Sequence, residues 1–65
     1  MIVKIAFCSK YDEILYVLHE QEENAKQIAE LIMESEIAFE YAMIYYPLGI
    51  HYVRGNFREC GGSFD

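Results

Sequence analysis

Cysteine is scarce in this sequence: Cys8 and Cys60 are the only two among 65 residues. Two thiols do not build the disulfide framework that a secreted domain of this size normally carries. Basic residues are scarce as well. Five Lys and Arg stand against eleven Asp and Glu, for a net charge of −6. Direct nucleic-acid binding needs a basic patch to neutralise phosphate, and this balance disfavours it. No apolar run approaches the roughly 18 residues of a membrane span. The start, MIVKIAFCSKYDE, lacks the layout of a signal peptide, because Lys4 breaks a short apolar stretch and no cleavage-type site follows. These absences predict a soluble protein of the reduced cytoplasm that engages neither membrane nor nucleic acid directly.

Apolar surface, by contrast, is abundant. Hydrophobic residues make up 54% of the chain and aromatics 15%, more than one helix and a few strands readily hide. At this length only about 60% of the unfolded chain's surface can be buried, and disulfides, a metal or oligomerisation commonly make up the shortfall. The composition favours oligomerisation, since unhidden aromatic area tends to become an interface. A homodimer or higher homo-oligomer is the expectation.

The clearest periodic segment is EENAKQIAELIMES, residues 22–35. Ala25, Ile28, Ala29 and Ile32 fall on one helical stripe, flanked by Leu31 and Met33. Glu23, Gln27, Glu30 and Glu34 form the opposite, outward stripe. MIVKIAFCS is short and rich in β-branched and aromatic residues, a strand too apolar to have a wet face. EILYVLHE, residues 13–20, leans towards a second strand, joined to the first through the turn-forming serine and aspartate of SKYD. The competing reading joins it to the helix.

IAFEYAMIYY and IHYVRGN make a hairpin around Pro47-Leu48-Gly49. Pro47 presets φ at the first turn position and Gly49 tolerates positive φ, which predicts a type I turn with a glycine bulge. That loop sets Tyr46 opposite Ile50, Ile44 opposite Tyr52, and Ala42 opposite Arg54, with Arg54 diagonal to Glu40. The hairpin then divides into a Tyr41, Met43, Tyr45, Val53 face and an Ile44, Tyr46, Ile50, Tyr52 face. A helix can cover one only. The second quartet is the expected self-association surface. The fold expected is therefore α+β, one helix on a small antiparallel sheet in ββαββ order, with βαββ and a longer helix as the alternative. Residues 1–59 form the single domain, and 60–65, with paired glycines, a flexible tail.

Chemistry is sparsely indicated. Cys8, His19, His51 and Cys60 nominally suffice for zinc, but none lies at the close spacing that preorganises a site, so no metal and no cofactor are expected. The carboxylate pairs belong to a solvated helix face, where nothing displaces their pKa towards acid–base work. VRGNF offers a lone glycine beside Arg54, a weak phosphate signal. The tyrosines lack the basic residues that accompany base-stacking sheets. The protein is read as a non-enzyme.

The expected function is a small acidic interaction module. Glu20, Glu23, Glu30, Glu34, Glu36 and Glu40 would dock on the basic surface of another protein, such as a nucleic-acid-binding surface blocked by charge mimicry. Small size, acidity and the lack of a motif suit an inhibitor of phage or mobile-element type, acting on a host or defence protein. Acidity also keeps a greasy chain soluble. The rival readings are a small-ligand or minor enzymatic site at a subunit interface near Tyr45, His51 and Arg54, and a structural assembly subunit.

Overall fold

In the computed structural model, which describes residues 1–54, the elements are β1 (Ile2–Cys8), β2 (Ile14–Gln21), α1 (Glu22–Ser35), β3 (Tyr41–Tyr46) and β4 (Gly49–Arg54). The order is ββαββ, and residues 13–20 contribute a strand rather than a longer helix. All strand pairs are antiparallel and the sheet runs β2-β1-β3-β4. The apolar β1 is thus a central strand, consistent with its lack of alternation. The predicted tail, Cys60, and the Gly55-Asn56 pair lie outside the described residues.

Local chemistry sets each joint. After β1, the backbone N–H of Ser9 donates to Glu13 O at 2.9 Å, and that of Asp12 donates to Ser9 O at 3.0 Å. The Ser9 hydroxyl accepts from the Tyr11 N–H at 3.1 Å. Asp12 takes φ 65°, a left-handed conformation that aspartate tolerates better than most side chains. The helix begins without a side-chain cap on Gln21. Its Glu22 N–H donates instead to Met1 O at 2.8 Å, so the residue just before β1 satisfies one of the helix's orphan donors. Glu22 and Glu23 in the first turn suit the positive end of the dipole.

The helix buries Ala25, Ala29 and Met33, with Ile28 and Ile32 half-buried and Leu31 exposed. The buried line is therefore rotated from the expected stripe so that Met33 becomes central rather than flanking. Two alanines let the helix backbone approach the sheet, and Val3, Ile5, Phe7, Ala42, Ile44 and Val53 complete the core. Phe39 from the loop after the helix stacks on Phe7 with ring centroids 5.0 Å apart. Each fully buried large side chain here contributes about 1.5–3 kcal/mol of transfer free energy.

The β3–β4 register differs by one residue from the expected one. Tyr46 pairs with Gly49, Ile44 with His51, Ala42 with Val53 and Tyr41 with Arg54. Gly49 does not remain in the loop as a bulge; it takes φ 156° and closes the ladder, leaving Pro47-Leu48 as the connection. A one-residue slip turns every β4 side chain to the opposite face. The physical gain is clear. The observed register puts Val53 into the core beside Ala42, whereas the expected one would have aimed Arg54 there, and an unpaired buried cation is costly.

Candidate functional site

Two surfaces follow from this arrangement, one on each side of the sheet. The helix side carries the acids. Glu23, Glu30 and Glu34, with Gln27, form one exposed stripe along α1. Glu20 is half-buried at the end of β2 next to the helix start, opposite Val3 of the core face. Glu36 caps the far end, its N–H donating to Ile32 O at 2.9 Å. Glu40 is half-buried where its N–H bonds Cys8 O at 2.7 Å. The three helical acids thus share a face, and the other three flank its two ends.

The last helical turn contains no basic residue. Acids at a helix C-terminus oppose the dipole, a penalty of about 0.3–1 kcal/mol each when exposed. Sequence periodicity located the acidic stripe but not this feature, which depends on where the helix stops.

The other side of the sheet is open among the described residues, and the pairing resolves it into rows. Across β2, β1, β3 and β4 they read Ile14, Cys8, Tyr41, Arg54, then Val17, Ala6, Met43, Tyr52, then His19, Lys4, Tyr45, Ile50. None of these positions is acidic. The middle row is wholly uncharged. Lys4 Nζ lies 4.6 Å from the Tyr45 ring centroid, and the Arg54 guanidinium carbon 5.9 Å from that of Tyr41. Arg54 thus rests on Tyr41 rather than lying on the Ala42 face towards Glu40, as the expected register had it. Tyr41 and Tyr52 are tilted neighbours at 6.1 Å, and the Tyr41 hydroxyl donates to Asp12 Oδ1 at 3.0 Å. That bond, with the Cys8 thiol beside it, holds the Tyr41 phenol well above the usual tyrosine range.

The expected quartet of Ile44, Tyr46, Ile50 and Tyr52 does not form one surface. Ile44 is fully buried in the core and Tyr46 packs against it, while Ile50 and Tyr52 face the open side. The rival site near Tyr45, His51 and Arg54 is divided in the same way. Tyr45 and Arg54 belong to the open face, but His51 pairs with Ile44 on the helix side, its ring 6.4 Å from Tyr46. His51 instead lines an open apolar cleft of about 590 Å³ at the hairpin tip, with Glu22, Tyr46, Pro47, Leu48, Gly49 and Ile50. Among the described residues His51 and Glu22 are its titratable groups besides Tyr46, and pockets that orient a ligand need convergent polar groups in an enclosed space. Cys8 sits by the β1–β2 turn and His19 lies opposite Lys4, towards the other end of that hairpin. His51 is on the opposite face from both.

Searches against family models, curated proteins and solved structures found no match to this chain, so the two surfaces are interpreted from their own residues.

Proposed function

We propose that the protein is a non-catalytic interaction module whose acidic helix layer docks on a basic surface of another protein. The observation that carries this reading is the placement of Glu23, Glu30 and Glu34 on one exposed stripe, extended by Glu36 beyond a helix end where an acid works against stability. A row of exposed carboxylates presents a negative field that speeds encounter with a cationic site. The same spacing of charge along a rigid rod suits competition with a nucleic-acid backbone. Inhibition of a host or defence protein, in the manner of phage or mobile-element inhibitors, is the role we assign to such competition.

The test is affinity capture with the full chain and with a Glu23→Gln, Glu30→Gln, Glu34→Gln variant, at low and at 0.5 M salt, where screening acts within about 4 Å. Partners held by the wild type should be lost from the variant and at high salt, and double-stranded DNA should displace them. Capture that withstands both the charge removal and the salt would overturn the reading.

A further inference from the structure

The open sheet face has its own logic, independent of the acidic stripe. We infer that a second copy of this chain occupies it, forming a dimer of four layers, helix, sheet, sheet, helix, with both acidic helices outermost. Three observations support this occupant over others.

The first is the distribution of polarity on the face. Its central row, Val17, Ala6, Met43 and Tyr52, carries no charge, while Arg54 lies in one flanking row and Lys4 and His19 in the other. An uncharged centre inside a polar rim is the anatomy of a protein interface. Lys4 and Arg54 each lie across a tyrosine of their own chain, which keeps the two cations low on the surface. Sheets stacked face to face run within about 30° of each other and interdigitate side chains of this kind.

The second is charge. Two chains each bearing −6 repel one another over most approaches. The open rows contain no acidic residue and meet a carboxylate at one end, where Asp12 accepts from the Tyr41 hydroxyl, so closing them together is the approach on which repulsion is least. A base-stacking role for Tyr41, Tyr45 and Tyr52 would need a field of cations, and among the described residues the open rows offer Lys4 and Arg54.

The third is area. Four strands of six to eight residues make a face of roughly 19 by 22 Å at ordinary strand spacing. Pairing two of them removes on the order of 1,000 Å² once side-chain relief is included, about the lower bound for a specific interface. Ile2, Ile14, Val17, Ile50 and Tyr52 are between 41 and 56% exposed in the single chain, so the gain is largely apolar. With layers about 10 Å apart, the two helix axes stand roughly 30 Å from each other and their acidic stripes, on the outer sides, point in opposite directions. The dimer is then a bivalent version of the docking module.

The experiment is sedimentation equilibrium of the full chain at micromolar concentration, alongside Tyr52→Lys and Val17→Lys on the open face. Leu31→Lys on the helix and Leu48→Lys at the hairpin tip, exposed at 58% and 101%, serve as controls. Wild type and controls should sediment as dimers. Each face variant should raise the dissociation constant at least tenfold while keeping the far-ultraviolet dichroism of the fold. The two variants sit on opposite edge strands, so either one that folds gives the answer. A monomeric wild type, a dimer indifferent to both face variants, a dimer lost with Leu48→Lys, or a face that binds oligothymidylate in place of a second copy would overturn the inference. Because these variants leave the acidic stripe intact, loss of the dimer with partner capture retained separates the two surfaces.

Discussion

Asp12 meets two demands at once: its backbone makes the left-handed step after β1, and its carboxylate accepts the phenol hydrogen of Tyr41. The bond raises the Tyr41 pKa in the folded chain, while an unfolded tyrosine ionises near 10. Below about pH 10 both states keep the proton and this contribution to stability is complete. As pH rises past that value the unfolded chain sheds its proton and the folded chain does not, so stability falls. Tyr41→Phe should therefore flatten the alkaline limb of a plot of urea midpoint against pH. An unchanged limb would remove Tyr41 from the account. Gly49 supplies a second residue-scale expectation. A Cβ added there meets nothing within 4 Å, yet φ 156° lies where L side chains rarely go. Gly49→Ala should cost about 1–3 kcal/mol through backbone strain alone, measurable by chemical denaturation.

At the scale of elements, the helix end shows stability yielding to charge. Glu36→Lys, placed where the dipole favours a cation, should stabilise the fold by about 0.3–1 kcal/mol and weaken partner docking. Thermal unfolding and capture measured on the same sample would test both signs. The helix, the strand character of residues 13–20 and the element order were legible in the sequence, because the 3.6-residue period and the β-branched runs are local signals, whereas no capping side chain marks where the helix starts. The β3–β4 register was not. Pro47-Leu48-Gly49 is compatible with Gly49 as loop or as ladder, and the decision falls to the core, which accepts Val53 and excludes Arg54. The acidic stripe survived this slip because it lies on the helix. The hairpin surfaces did not, since their membership changes with every residue of register. Likewise, nothing local showed β1 pairing with β3, the contact that makes one sheet of two hairpins.

For the whole molecule, charge is segregated. Among the described residues the helix layer and its two ends carry most of the acids, with Asp12 and Glu13 in the β1–β2 turn and none in the open rows themselves, and no described helix is long and apolar enough to cross a membrane. The two proposed contacts should then respond to salt with opposite sign. Docking of the acidic stripe on a cationic partner weakens as salt rises, whereas pairing of the open faces strengthens as repulsion between like chains is screened. Dissociation constants measured across a salt series would show both slopes, and parallel slopes would contradict the division into two surfaces. The β1–β3 pairing has a further consequence, one of time rather than charge. Each hairpin joins neighbours in sequence and closes within microseconds, but neither has a covered face until β1 meets β3 across the intervening helix. That meeting brings together opposite ends of the described chain, so it waits on loop closure and on the helix being in place. Both sheet faces are bare before it happens, and the tyrosine-rich hairpin is the part most prone to finding a neighbouring chain too early. Folding speed should therefore fall most for substitutions at Ile5 and Ile44, which face each other across that junction and are fully buried in the core.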